Sequence, residues 1–279
     1  GSTRAEIVPG EPVNIAAGVV RLTAPNPGMM TGPGTNTYIL GHERFTVIDP
    51  GPADNGHIEN ILTVTGGHID QVLVTHTHID HSPAVRSLKK QTGCPVLGWP
   101  APEGIEHDSQ FEPDEQPVPD TLIATEAGDL KVLHTPGHAA NHLCYLLVGQ
   151  GLLFSGDHIM QGTTVIINPP DGDMKAYIES LHDLLAEPLR HIAPAHGFLM
   201  ARPETVIDHL ITHRLSREHK ILRALEELTP VSLNDLTAKA YDHLPPAMRA
   251  IAARTTLAHL LKLETEHRAC RKEDLWYAV

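Results

Sequence analysis

Histidine and aspartate crowd one short stretch of this chain in an order suited to metal ligation: Val72-Leu73-Val74-Thr75-His76-Thr77-His78-Ile79-Asp80-His81. An apolar, β-branched run leads into H-x-H-x-D-H. Alternate residues of an extended segment face the same way, so His76 and His78 can grip one cation. Asp80 and His81, where the chain turns toward a helix, can reach a second. With 20 histidines in the chain, the pattern would arise by chance on the order of a few times in a thousand. Two imidazoles do not make a stable site, so further donors are required after other strands. Three segments supply them: His134-Thr135-Pro136-Gly137-His138, Ser155-Gly156-Asp157-His158 and Pro194-Ala195-His196-Gly197. Each follows an apolar run and sits beside a small residue or turn former, a placement from which a rigid scaffold converges functional groups.

The elements that must position these groups are legible as alternation. Short apolar runs read as strands at Phe45 to Ile48, Gln71 to Val74, Leu130 to Leu133, Leu143 to Val148, Leu152 to Phe154 and Ile192 to Ala193. Helical periodicity lies between them at Ile58 to Val64, Pro83 to Gln91 and Met174 to Leu185. This α/β pattern implies sheets covered by helices. Pro102 to Pro119, dense in Pro, Glu and Asp, reads as an exposed loop. From Pro203 the texture becomes helical, with blocks at Leu233 to Tyr241 and Ala247 to Leu263 separated by Asp242-His243-Leu244-Pro245-Pro246, and Leu275-Trp276-Tyr277 closing the chain as a strand or wing. A boundary near residue 210 divides a domain of residues 1–210 from a small helical one of 211–279.

The four ligand-bearing segments, in their order, resemble the motifs of the metallo-β-lactamase superfamily. That resemblance implies a four-layer αββα sandwich in which His76, His78 and His138 hold one metal, Asp80, His81 and His196 hold the other, and Asp157 bridges. Asn26-Pro27-Gly28, Gly34-Thr35-Asn36-Thr37-Tyr38, Gly162-Thr163-Thr164-Val165 and the helical tail are further similar to the beta-lactamase-like protein 2 family. That family joins the lactamase fold to a C-terminal winged-helix-like module, and its characterised member cuts single-stranded RNA. Ser82-Pro83-Ala84 departs from the glycine pair usual there and puts the local turn in question. Relatives that carry di-iron place a carboxylate where this chain has His78, so the imidazole-rich set favours two zinc ions over manganese or iron. Bound water would drop toward a pKa of about 7, and two metals can clamp the attacking and leaving oxygens. Asp80 and Asp157 are the expected catalytic residues, Asp80 orienting hydroxide and Asp157 fixing the metal separation. Penicillin-degrading relatives generally act outside the cytoplasm, and several place a cysteine at the position of Asp157. Antibiotic hydrolysis is therefore not expected.

The first expectation is a zinc-dependent hydrolase of a small ester, thioester or lactone. The alternatives are a single-stranded-RNA endoribonuclease and a non-catalytic metal-containing binding protein. The formal charge of −13 argues against a polyanion partner, yet residues 205–279 carry 11 Lys/Arg against 10 Asp/Glu, so the acidity belongs to the front of the chain. The tail helices read as packing and homodimer surface more readily than as nucleic-acid readers, although Arg249, Arg254 and Lys262 make one loosely basic helix. Cys94, Cys144 and Cys270, odd in number and far apart, read as reduced thiols. No apolar run reaches the roughly 18 residues of a membrane span, and a cytoplasmic location is expected. His142 reads equally as a substrate contact or as the start of a strand, and His158 has no assigned role. His134 reads as structural. His42, His57, His68, His107, His182, His191 and the histidines of the tail read as surface or interface residues. Gly34-Thr35-Asn36-Thr37 lacks the lysine and spacing of a phosphate loop and reads as a tight turn.

Overall fold

The apolar runs of the first two hundred residues pair into two six-stranded sheets. The computed structural model describes residues 6–103, 107–241, 245 and 248–279, and these form two units. The first comprises residues up to 135, 141–164 and 188–203. Its first sheet runs in chain order through β1 (Val13–Ala16), β2 (Val19–Thr23), β3 (Asn36–Leu40), β4 (Phe45–Ile48), β5 (Ile69–Leu73) and β6 (Val96–Leu97). Pairing is antiparallel as far as β4 and parallel from β4 to β6. Parallel neighbours need crossovers, which α1 (Asn55–Thr65) and α2 (Val85–Thr92) provide. Asp54 caps α1 by accepting from the His57 backbone N–H, and Gly66 ends it in the left-handed region.

The second sheet contains β7 (Leu122–Ile123), β8 (Leu130–His134), β9 (Leu143–Leu147), β10 (Leu152–Gly156), β11 (His191–Pro194) and β12 (Met200–Ala201), in the reverse spatial order β12 to β7. Only β10 and β11 pair in parallel. Tyr38, Leu40, Ile48 and Leu73 of the first sheet pack with Leu130, Val132, Tyr145 and Phe154 of the second in one buried cluster. Ile58, Ile61, Val85 and Leu88 of the helices pack with Leu22, Ile39, Val47 and Val72 in another. The sheets thus face each other, and α1 and α2 cover the outer face of the first. Strand β5 begins with an exposed Asp70 and a half-buried Gln71, but its C-terminal end, Val72, Leu73 and the following Val74, is buried, which is why that end reads as an apolar run. The expected loop from Pro102 to Pro119 forms no helix or strand among its described residues, but it is pinned rather than wholly exposed, since Phe111 is buried in the helix-side cluster.

The second unit comprises residues 136–140, 165–187 and 204–279. It holds α3 (Met174–Leu184), nearly all of α4 (Pro203–Leu228), α5 (Leu233–Ala240) and α6 (Arg249–Thr265), with β13 (Val231–Ser232), β14 (Ala269–Lys272) and β15 (Leu275–Ala278) forming a small sheet ordered β13-β15-β14. Helix α4 runs unbroken through residue 210. Ile221, Leu222 and Leu225 of α4 pack with Leu236, Leu260, Leu263 and Trp276, while Leu215 stays exposed. Each such burial is worth about 1.5–3 kcal/mol. The break expected at 242–246 and the start of the block at Ala247 lie outside the described residues, Pro245 excepted. Among the described residues no helix is long and apolar enough to cross a membrane.

Candidate metal centre

Every sequence-predicted donor of the first unit lies just beyond the C-terminal end of a core strand: His76, His78, Asp80 and His81 after β5, Asp157 after β10, His196 after β11. Two donor groups form. The ligand atoms of His76, His78 and Asp157 lie within 4.8 Å of one another, as do those of Asp80, His81 and His196. His76 Nε2 stands 2.9 Å from His78 Nδ1 and 4.0 Å from Asp157 Oδ2. In the other group His81 Nε2 is 3.5 Å from both Asp80 Oδ2 and Asp157 Oδ1, and His196 Nε2 is 3.4 and 3.1 Å from the same two atoms. Donors each about 2.0–2.2 Å from a tetrahedral zinc stand roughly 3.4 Å apart. His81 Nε2 is buried and makes no hydrogen bond, so it is held at ligand spacing rather than at hydrogen-bonding distance. The donor set fits a metal pair.

The outer partners of the rings fix which nitrogen points inward. His81 Nδ1 donates to Asp49 Oδ2 at 2.9 Å. The Thr75 hydroxyl donates to the same oxygen at 2.7 Å and stands 3.0 Å from His76 Nδ1. His196 Nδ1 donates to the Gly34 carbonyl at 3.2 Å. Such partners hold ring orientation and tautomer, leaving the other nitrogen for a cation. Gly156 precedes Asp157 at φ 50°, and a Cβ there would meet His142 Nε2 at 2.6 Å and Thr75 Oγ1 at 2.7 Å. Only glycine fits that turn.

Charge follows from this crowding. Burial, with His81, His78 and His142 close by, holds His76 well below the usual imidazole range. Burial alone would lower His81 and His196, but Asp80, Asp157 and Asp49 drive His81 well above that range, and Asp157 and Asp80 raise His196 to about 10. Asp80, against the effect of burial, falls to about 2 beside His81 and His196, and Asp157 is likewise held low. The two carboxylates are anionic, and of the imidazoles around them they favour protonation of His81 and His196 but not of His76.

His138 belongs to the second unit, in the stretch 136–140 that the first unit flanks at Thr135 and Asn141. Its Nδ1 donates to the Ile166 carbonyl at 2.8 Å, which turns Nε2 the other way. His134 ends β8 exposed, its ring 4.5 Å from Trp99, in keeping with a structural reading. His142, read as a substrate contact or as the start of a strand, directly precedes β9. It is fully buried, accepts from the Asp157 backbone N–H at 3.2 Å through Nε2, and pairs with Thr135 Oγ1 at 2.9 Å through Nδ1. His158 is also fully buried, its ring 5.8 Å from that of His142. The turn at Ser82-Pro83-Ala84 forms without glycines, the Val85 N–H donating to the Ser82 carbonyl at 2.9 Å.

Three of the histidines expected at the surface or an interface are buried within the chain. His57 pairs with Thr37 Oγ1 at 2.8 Å, His107 pairs with Thr77 Oγ1 at 2.9 Å with its ring 4.6 Å from that of His78, and His259 faces Glu218. Lys262 joins His259 on Glu218 and is no part of a basic surface. Asp49 went unread in the sequence. Its one local sign is its place between a strand and Pro50-Gly51, in a left-handed backbone (φ 49°) uncommon outside glycine.

The family description "Metallo-beta-lactamase superfamily" matches residues 30–196, and "Beta-lactamase associated winged helix domain" matches 232–276. The chain belongs to the metallo-β-lactamase superfamily. A curated relative, "Beta-lactamase-like protein 2 homolog" of Drosophila melanogaster, is 31% identical over 90% of this chain and 89% of its own length. "Atrochrysone carboxyl ACP thioesterase" of Aspergillus chevalieri is 31% identical over 75% of this chain and 66% of its own. Among solved structures, a beta-lactamase domain protein from Burkholderia ambifaria superposes with a TM-score of 0.83 at 20% identity, covering 99% of this chain and 96% of that one. The two facing sheets are thus the metallo-β-lactamase fold, and the small C-terminal sheet with its helices is the winged-helix domain of this superfamily.

Proposed function

We propose that this metallo-β-lactamase superfamily chain is a zinc-dependent, two-metal hydrolase acting on a small ester, thioester or lactone. The observation that carries the reading is the orientation of Asp157, whose Oδ1 faces His81 and His196 while Oδ2 faces His76. In this reading His76, His78 and His138 would hold one ion, Asp80, His81 and His196 would hold the other, and Asp157 would serve both. His138 enters on its motif and on the short tether from Thr135. Two divalent ions so held would supply Lewis acidity and a water acidic enough to ionise near neutral pH. The protein's part is positional. Asp80, anionic at neutral pH, accepts a hydrogen bond from the attacking water and orients it, and Asp49, Thr75 and Gly34 hold the rings.

Exposed apolar side chains support an acyl substrate. Ile79, between His78 and Asp80, is 62% exposed, and Met29 on the loop before Gly34 is 77% exposed. The thioesterase name of one relative points the same way. Cys94 and Cys144, buried and unbridged, suit the reducing cytoplasm in which we place the enzyme. A single-stranded-RNA endonuclease is the second reading. It is favoured by a groove of about 540 Å³ in the winged-helix unit, lined by Arg217, Lys220, Arg223 and Lys239 against Glu227. The test is parallel turnover of the metal-replete protein on acyl thioesters, esters, lactones and labelled single-stranded RNA. Salt-insensitive acyl cleavage is expected. Cleavage confined to RNA and falling steeply with salt would select the second reading.

A further inference from the structure

The segment Gly34-Thr35-Asn36 does more than turn the chain. Thr35 is fully buried, and its hydroxyl has two partners. Asn26 Nδ2 donates to it at 3.0 Å, which uses the oxygen as acceptor and leaves its one proton to be donated to Asp80 Oδ2 at 2.9 Å. Asn26 also accepts from the Thr35 N–H through Oδ1 at 2.9 Å, so a single side-chain amide fixes both the backbone and the hydroxyl. The Thr31 hydroxyl ties off the same loop on the Asn26 carbonyl at 2.6 Å.

The neighbours of Thr35 act on the other side of the same donor group. The Gly34 carbonyl receives His196 Nδ1–H. Gly34 lies at φ 140°, and a Cβ there would fall 2.0 Å from the Ala24 carbonyl oxygen, so no other residue can present that carbonyl. Asn36 Nδ2 donates to the carbonyls of Pro194 at 3.0 Å and Gly197 at 2.9 Å, and the Asn36 N–H donates to the Ala195 carbonyl at 2.7 Å. The backbone on both sides of His196 is therefore held by one asparagine. Among the described residues, Asn26, Thr35 and Asn36 donate to the Asp80 and His196 side and not to His76 or His78.

We propose that Asn26, Thr35 and Asn36 form a clamp dedicated to one half of the metal centre, the Asp80–His81–His196 half, with Thr35 as its positioning residue. This rests on the two-metal reading above. The hydroxyl occupies one lone pair of Asp80 Oδ2, the oxygen that faces His81 and His196, and fixes the carboxylate plane; partners of this kind typically alter metal affinity by about 10–100-fold. Thr35→Val keeps the shape and removes the proton, whereas Thr35→Ser keeps it.

The experiment is zinc titration of the chelator-treated, full-length protein by calorimetry, repeated with cobalt(II) so that its visible absorption reports each half-site. Wild type should take up two ions. Thr35→Val should bind the first with unchanged affinity and the second about 10–100-fold more weakly. Thr35→Ser should stay near wild type, and Asn26→Ala should move in the direction of Thr35→Val by a smaller factor. Thermal unfolding of the metal-free variants guards against a folding defect, and Thr35→Ser gives the result in a chain with the smallest packing change. Two-ion binding by Thr35→Val with wild-type affinities would overturn the clamp while leaving the two-metal reading intact. A wild type that takes up one ion or none would overturn the reading beneath it, and the clamp with it.

Discussion

Two buried charged clusters in this molecule look alike in a sequence and behave oppositely. In the lactamase-fold unit, Asp80, Asp157 and four imidazoles converge with no Lys or Arg among them, and His81 Nε2 is buried without a hydrogen bond. In the winged-helix unit, Glu218 sits against Lys262 at 2.9 Å and His259 at 3.4 Å, with Arg268 and Glu266 closing the set. There two carboxylates meet two cations, and the charges cancel. The difference separates a site from a strut. Donors that converge uncompensated ask for a cation from outside, whereas pairs that neutralise each other already have what they need.

The largest expected effect comes from breaking the first cluster at its centre. Asp157→Ala should lower kcat/KM by roughly 10³-fold or more and release at least one ion, while His134→Ala should keep activity and metal within a few-fold. Steady-state kinetics with elemental analysis of both variants decides this, and equal damage from the two would mean that the lining of the site has been misassigned. The second cluster should respond in a different quantity. Lys262→Met removes the nearest cation from a buried carboxylate and leaves it Arg268 at 3.7 Å and His259 at 3.4 Å. The cost should therefore fall at or below the low end of the about 3–5 kcal/mol typical of a broken buried pair, yet turnover of a small acyl substrate should change less than threefold. Urea unfolding beside kinetics would show it, and a large loss of kcat without loss of stability would contradict the distinction.

A smaller effect is expected where support for the metal centre is indirect. His142→Gln should weaken metal binding by about 10-fold, the low end for an outer partner, because His142 holds the Asp157 backbone and no ion. Competition against a chromogenic chelator measures it, and loss of all metal would make His142 a ligand.

The smallest concerns pH. Burial would raise Glu218, but His259 and Lys262 hold it below its ordinary 4.5, so its contribution is present above that value and is lost as pH falls through the depressed one. Burial holds His259 below its ordinary 6.5, so the folded state resists its protonation and loses stability as pH falls below 6.5. Both act in one direction. Hydrogen exchange of α4 and α6 peptides, corrected for intrinsic rate, should quicken between pH 7 and pH 5 in wild type and less so in His259→Gln.

Much of this was legible in the chain itself. Strand β4 was legible residue for residue, and β5, β8, β9, β10 and β11 within two residues at each end, because each carries a short cluster of buried apolar side chains. The donor candidates that the fold gathers were legible because they sit where such runs stop. What escaped depends on contacts distant in sequence. Asp49 reaches Thr75 and His81 across 26 and 32 positions, Thr35 reaches Asp80 across 45, and His259 meets Glu218 across 41. No local periodicity marks such residues. His57 and His107 were misplaced for the same reason, their threonine partners lying 20 and 30 residues away.

The central claim is that the converging cluster is a two-ion centre. Elemental analysis of full-length protein purified without chelator tests it most directly, with protein concentration fixed by quantitative amino-acid analysis. The account predicts two transition-metal ions per chain, mainly zinc, both lost to strong chelation together with activity and both recovered on adding zinc back. A reproducible content of one ion or none, unchanged after incubation with excess zinc, would contradict it.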